Sequence, residues 1–104
     1  MAYSVFFTPE AEDQLIDLYR YIAEQASPEI AELFTRGVVE FCEGLTNFPE
    51  RAVRRDDIRP GIFVTNYRGR VVIADTVEAD VVSIIGTFYG GRDFESLLRL
   101  DDER

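Results

Sequence analysis

Residues 80–99, DVVSIIGTFYGGRDFESLLR, decide the fold of this chain. Their first half, residues 81–89, is an almost unbroken run of apolar and β-branched side chains. Such a run is typical of a strand that is buried on both faces, so we expect it inside a sheet rather than at an edge. Gly90 and Gly91 end the strand and permit a sharp bend, and Asp93 can then cap a short final helix.

The chain before this strand opens with a strand and two helices. Residues 3–7 have the composition of a strand. Helices over residues 9–25 and 28–46 follow, because Thr8 and Ser27 can each cap a helix and each precedes a proline. The connection between the two helices is so short that we expect an antiparallel hairpin.

Each predicted helix carries an apolar stripe, which we expect to face the core. The first stripe is Ala11, Leu15, Leu18 and Ile22, and the second is Ile30, Phe34, Gly37, Phe41 and Leu45, with Val38 alongside. Four further apolar side chains lie off these stripes: Ile16, Tyr21, Leu33 and Val39. They indicate either a partner-binding face or ordinary surface residues, and both interpretations stay open at this point.

Three strand candidates, residues 62–67, 70–76 and 81–89, follow a proline-bounded loop at residues 49–61. Short turns join these strands, which is typical of an antiparallel meander. The element order is therefore β-α-α-β-β-β-α. It predicts a single α+β domain over residues 1–104, with the helices packed on one face of a mainly antiparallel sheet and a short C-terminal helix.

The charge of the 104-residue chain is unevenly distributed. The net charge is −9, yet residues 51–70, here called the Arg island, carry +4, whereas residues 1–50 carry −8 and residues 71–104 carry −5. The Arg island can bind an acidic partner or pair with acidic residues of the same chain. We favour the acidic partner, because exposed ion pairs add little stability. The acidic total argues against broad nucleic-acid binding.

The composition also bears on cofactors and location. Cys42 is the single cysteine and there is no His, so we expect no internal disulfide, no metal site and no organic cofactor. No apolar run reaches membrane-spanning length, and the first residues lack the basic and apolar regions of a signal peptide. We therefore expect a cytoplasmic protein that does not contact a membrane.

Four features occur in an order that spans nearly the whole chain. They are YSVFFTPEAEDQL at 3–15, YRYI followed by SPE within 19–29, FPERAVRRDDIRPG at 48–61 and IIGTFYGGRDFE at 84–95. In this order and spacing the chain resembles the ParE branch of the RelE/ParE toxin superfamily. The resemblance implies a RelE/ParE-like α+β fold.

The resemblance also implies a function. Members of this superfamily are toxins of type II toxin–antitoxin modules, and a cognate antitoxin neutralises each of them. ParE-like members usually inhibit DNA gyrase, whereas RelE-like members cut messenger RNA on the ribosome, and the fold alone does not decide between them. We expect a gyrase inhibitor that acts by protein–protein binding and forms a hetero-oligomer with a ParD-like antitoxin. We expect no sequence-specific DNA binding by this chain. The alternatives are a RelE-like ribonuclease and a non-toxic adaptor with the same fold.

Two sets of candidate binding residues follow. The target-binding set combines the Arg island with the end of the central strand: Arg54, Arg55, Arg59, Tyr89 and Arg92. The antitoxin-binding set combines the apolar residues that lie off the stripes with one basic residue: Ile16, Tyr21, Leu33, Val39 and Arg51.

A ribonuclease would need groups that move protons and groups that stabilise negative charge. The charge could be stabilised by Arg59, Arg68, Arg70, Tyr89 and Arg92. Arg stays protonated, however, and an unperturbed Tyr has a pKa near 10. Three carboxylates could act as a base only if their pKa values were strongly shifted: Asp56, Asp57 and Asp75. Because the chain has no His and no Lys, we expect no catalytic residue.

Overall fold

The computed structural model describes residues 4–45, 52–89 and 93–102. These ranges contain β1 (Ser4–Phe7), α1 (Pro9–Gln25), α2 (Pro28–Gly44), β2 (Val53–Arg54), β3 (Ile62–Tyr67), β4 (Val71–Glu78), β5 (Val81–Tyr89) and α3 (Phe94–Asp102). The predicted α+β architecture is confirmed. It has one addition, because the short strand β2 lies within the segment predicted as a loop.

The sheet has the strand order β1-β5-β4-β3-β2. β1 pairs in parallel with β5, and the other neighbouring strands are antiparallel. β5 therefore lies between β1 and β4, as its continuous apolar sequence predicts. β4 begins one residue later than predicted and continues to Glu78, which lies opposite Val81.

Side-chain caps begin the helices as predicted. The Thr8 hydroxyl accepts a hydrogen bond from the Ala11 N–H (3.2 Å), and the Ser27 hydroxyl accepts one from the Ile30 N–H (3.1 Å). The Asp93 carboxylate accepts from the backbone N–H three residues later (3.3 Å). Each cap satisfies a backbone donor that the first helical turn leaves unpaired.

The helical hairpin covers one face of the sheet. The main core consists of Ala11, Leu18, Val38, Cys42, Leu45, Val71, Ile73, Val82 and Ile84. The predicted stripe of α2 is wrong at Ile30, which is 53% exposed, whereas Ala31 and Cys42 are fully buried. These small side chains allow α2 to pack closely, while the larger Phe34 and Phe41 lie partly buried at its flank.

A β-bulge in β5 interrupts the regular pairing with β4. Ala74 lies opposite Gly86 and Asp75 lies opposite Ile84, so Ile85 is an extra residue in β5. Side chains alternate between the two faces of a strand, and one extra residue therefore switches the faces of all residues beyond it.

The switch decides where the end of β5 points. Val82 belongs to the main core before the bulge, and Tyr89 packs against the same core after it. The Thr87 hydroxyl likewise reaches the hairpin, where it donates to the Ala11 carbonyl (3.2 Å). Phe88 lies instead on the opposite face of the sheet. The bulge therefore directs Thr87 and Tyr89 toward the helices.

A second, smaller core covers the other face of the sheet. It consists of Ile58, Ile62, Ala74, Phe88 and Leu98. Leu98 comes from α3, and Phe94 of the same helix packs beside it. The prediction that all helices pack on one face is therefore wrong for α3, because the apolar side of this helix covers the second face.

The orientation of α2 can be tested by comparing two truncations. Leu45 is 1% exposed and belongs to the main core, so Leu45→Ala should lower the free energy of unfolding by about 2–5 kcal/mol. Ile30→Ala should change it by less than about 0.5 kcal/mol, because the side chain is already largely in water. Urea unfolding measures both values. Equal losses in the two variants would contradict this orientation.

Candidate partner-binding site

An apolar groove runs along the outer side of the helical hairpin. We call it the hairpin groove. It has a volume of about 420 Å³ and is lined by Leu15, Ile16, Tyr19, Arg20, Glu32, Thr35, Arg36 and Val39. A depression of about 220 Å³ shares Leu15, Ile16 and Val39 and extends the groove to Phe7 of β1. The fold thus brings together Ile16 and Val39, two of the predicted antitoxin-binding residues.

Five aromatic rings, here called the aromatic cluster, lie between the hairpin and the ends of β3 and β5. They are Tyr21, Phe34, Phe41, Tyr67 and Tyr89. The Tyr89 ring lies 5.4 Å from the Tyr21 ring and 6.5 Å from the Phe34 ring, measured between centroids. The Tyr67 ring lies 5.6 Å from Phe34 and 5.4 Å from Phe41. Tyr89 is therefore packed between helical side chains rather than presented freely to a target.

A second groove lies on the other side of α2, toward the end of β3. We call it the aromatic groove. Its volume is about 730 Å³, and it is lined by Ile30, Leu33, Phe34, Arg36, Gly37, Glu40, Phe41, Tyr67 and Arg68. The predicted antitoxin-binding residue Leu33 lies here, and Tyr21 contacts Tyr89. The four off-stripe apolar residues therefore do not form one surface.

Two arginines of the Arg island are paired within the chain. The Arg54 Nε donates to Asp56 (2.9 Å), and an Arg55 amino group donates to Asp57 (2.8 Å) and to Glu95 of α3 (2.5 Å). The internal-pairing interpretation therefore holds for both residues. Their role in target binding stays a prediction.

The other predicted basic residues are placed differently. Arg59 is partly buried, and its backbone N–H donates to the Arg55 carbonyl (3.3 Å). Arg51 and Arg92 lie outside the described residues, so the structure places neither of them.

Sequence reasoning missed several residues that line the two grooves. Tyr19 is 37% exposed and lies three residues after Ile16, on the same side of α1. This spacing from Ile16 could have identified Tyr19 from the sequence. Tyr67 could not have been found in this way, because its place in the aromatic cluster depends on the pairing of β3 with β4.

The three candidate bases of a ribonuclease have different environments. A hydrogen bond from the Gly61 N–H and the pairing with Arg54 lower the pKa of Asp56. The hydrogen bond from Arg55 lowers the pKa of Asp57. Asp75 is 3% exposed, and burial raises its pKa to about 6. Asp56 and Asp57 are therefore weak bases, and Asp75 is inaccessible to a substrate.

Neither a metal cluster nor a membrane span occurs in the part of the chain that the structure describes. Within residues 4–45, 52–89 and 93–102, no three His, Cys, Asp or Glu side chains lie together as ligands for a metal ion. Over the same ranges, every helix is too short or too polar to cross a bilayer.

A sequence model of the family described as "ParE toxin of type II toxin-antitoxin system, parDE" matches residues 5–94. The chain belongs to the ParE toxin family. The match begins within β1 and ends at the first residue of α3. This ParE-family chain is therefore assigned to the toxins of type II toxin–antitoxin systems. A search of curated proteins found no match.

Two solved structures share the fold of this ParE-family chain. One is described as a chromosomal ParDE toxin–antitoxin system from P. aeruginosa, with a TM-score of 0.73, 19% identity, and coverage of 85% of this chain and 96% of that chain. The other is the RelBE2 toxin–antitoxin complex from Mycobacterium tuberculosis, with a TM-score of 0.60, 24% identity, and coverage of 86% and 100%. At these identities the likeness shows the fold alone.

The buried Asp75 makes stability depend on pH. Among the described residues, the Asp75 Oδ1 has no hydrogen-bond partner. Burial raises the pKa of the nearby Cys42 thiol to about 12, and the Asp75 carboxylate adds to this rise. The pKa of Asp75 is higher in the folded chain than in the unfolded chain. Its protonation therefore stabilises the fold below about pH 4, and this contribution is lost as the pH rises through about 6.

The variant Asp75→Asn should accordingly be more stable than the wild type at pH 8, by about 2–3 kcal/mol, because the amide carries no charge to bury. Near pH 4 the difference should largely disappear. Chemical unfolding at both pH values measures it. A difference that is the same at pH 4 and pH 8 would contradict the raised pKa of Asp75.

Proposed function

We propose that this ParE-family toxin inhibits DNA gyrase by protein–protein binding and is neutralised by a ParD-like antitoxin. Membership of the ParE toxin family is the observation that carries the proposal. The toxin would act in the cytoplasm, where its target works on DNA. We propose no enzymatic activity for it.

The chemistry of the described residues supports binding rather than catalysis. The sequence has no His, and its basic residues are all Arg, which remains protonated. The carboxylates with lowered pKa values, Asp56 and Asp57, are engaged with arginines. The one with a raised pKa, Asp75, is buried on the helical side of the sheet. None of them combines accessibility with a pKa suited to general-base catalysis.

A toxin without catalytic groups must act by binding one state of its target more tightly than the others. Equal affinity for all states would shift no equilibrium. A gyrase intermediate with cleaved DNA is a state that such binding could trap. Arginine side chains on the Arg island suit this role, because guanidinium groups form paired hydrogen bonds with carboxylates and phosphates.

The hairpin groove is the surface that we assign to the antitoxin. Ile16 is 49% exposed and Tyr19 is 37% exposed, so the groove presents apolar area that a partner can bury. Arg20 and the ion pair of Glu32 with Arg36 also line the groove, where charged residues of the partner can meet them. An amphipathic antitoxin helix, disordered when free, would suit this shape and composition.

The gyrase proposal predicts that the purified toxin inhibits plasmid supercoiling and that linear, cleaved DNA accumulates. Adding the antitoxin should restore supercoiling. Higher salt should weaken inhibition, because salt screens the attraction between exposed charges. Growth arrest without inhibition of supercoiling and without trapped cleavage complexes would refute the gyrase target. Ribosome-dependent cleavage of messenger RNA by the purified toxin would instead establish the ribonuclease alternative.

The antitoxin proposal predicts that Ile16→Asp combined with Val39→Asp weakens the complex by at least about 30-fold, because two carboxylates would enter an apolar groove. The matched control is Leu97→Asp on α3, where the side chain is 40% exposed and lies outside both grooves. Isothermal titration calorimetry measures the affinities, and thermal unfolding confirms that the variants fold. Unchanged affinity in the double variant would remove the hairpin groove from the interface.

A further inference from the structure

The aromatic groove is built around a close approach between α2 and β3. A Cβ atom at Gly37 would collide with the hydroxyl of Tyr67, so glycine at this position lets the ring lie against the helix. Phe34 and Phe41 hold the ring on either side, with centroid distances of 5.6 and 5.4 Å. The floor of the groove is therefore a packed, rigid apolar surface.

The wall of the aromatic groove presents apolar side chains to water. Leu33 is 66% exposed and Ile30 is 53% exposed, and both lie on the first half of α2. Neither contributes to the main core. Together with the aromatic floor they form a continuous apolar surface, which is typical of a protein-binding site.

Arg68 occupies an unfavourable backbone position at the end of this groove. The Arg70 N–H donates to the Tyr67 carbonyl (3.0 Å), closing a turn in which Arg68 has a φ of 54° and Gly69 a φ of 68°. A left-handed conformation is unfavourable for an arginine, and Asn or Gly would adopt it more easily. A positive φ at both central residues is usual in a two-residue hairpin turn, and the turn fixes the place of Arg68 beside the groove.

The Arg68 side chain lies over the Tyr67 ring, next to the aromatic groove. Its guanidinium carbon lies 5.5 Å from the centre of the Tyr67 ring, so the charge is held at the end of the apolar groove. Arg36, on the opposite wall, pairs with Glu32. Because Arg36 is paired, Arg68 is the positive charge of the lining that can meet a carboxylate of a partner, and Glu40 is the negative charge.

We propose that the aromatic groove binds an acidic, apolar segment of the protein that this toxin inhibits. This inference rests on the proposed function, and it assigns the target to a surface that is separate from the hairpin groove. The apolar floor would receive apolar side chains of the segment, and Arg68 would grip one of its carboxylates. A nucleic acid fits poorly, because the rings of the floor pack against one another and are not free to stack with bases.

The position of α2 separates the two partners. Helix α2 lies between the hairpin groove and the aromatic groove, and Arg36 lines both. A single segment could fill both grooves only by wrapping around the helix. We therefore assign the aromatic groove to the target.

The test combines Leu33→Asp with Arg68→Asn, because asparagine tolerates the left-handed turn while it removes the guanidinium. The double variant should fold like the wild type in thermal unfolding. It should inhibit gyrase at least about tenfold less potently, whereas its affinity for the antitoxin should change by less than about twofold. The matched control is Leu97→Asp combined with Arg99→Asn on α3, which should leave both properties unchanged.

If the wild type inhibits gyrase, two results would overturn the assignment. One is loss of antitoxin affinity with inhibition retained, which would give the groove to the antitoxin. The other is no change in either property. If the wild type does not inhibit gyrase, the proposed target fails, and growth arrest on induced expression then tests the groove. Arrest that is lost in the double variant, with antitoxin binding retained, would support the groove as a target site. Arrest that persists would refute it.

Discussion

The way in which β5 packs against α1 depends on one extra residue in the strand. Ile85 forms the bulge in β5, and the strand beyond it turns a different set of side chains toward the helices. Thr87 then bonds to α1 twice: its N–H donates to the Gln14 side chain (2.7 Å), and its hydroxyl donates to the Ala11 carbonyl (3.2 Å). Without the bulge, Tyr89 would lie on the opposite face, and the aromatic cluster would lose the ring that joins β5 to the hairpin.

Two arginines of the Arg island have different surroundings, which their positions in the sequence do not reveal. Arg55 joins the segment before β3 to α3 through Glu95, and its side chain is 30% exposed. Arg68 belongs to the same Arg island but lies over an aromatic ring at the edge of a groove. The first arginine joins two segments of the fold, while the second leaves its charge at the groove where we propose that the target binds. Exposure and the nearest carboxylates decide between these roles.

Much of the fold could be predicted from local patterns. The caps at Thr8, Ser27 and Asp93 depend on neighbouring residues only, and the apolar run of β5 indicates a buried strand wherever its partners lie. The candidate site was predicted less well. Ile16 and Val39 do share a groove, but Leu33 lies on the far side of α2. Helical spacing shows which residues avoid the core, and it does not show which of them meet across two helices.

The sequence by itself determined the element order, the buried central strand and the family. These properties follow from residue type and from spacing along the chain. Only the tertiary structure decided that α2 buries Ala31 rather than Ile30, and that α3 covers the second face of the sheet. Only it decided that Arg54 and Arg55 pair within the chain. The reason is that rotation of a helix, a bulge and an ion pair each depend on residues that are distant in sequence and meet only after folding.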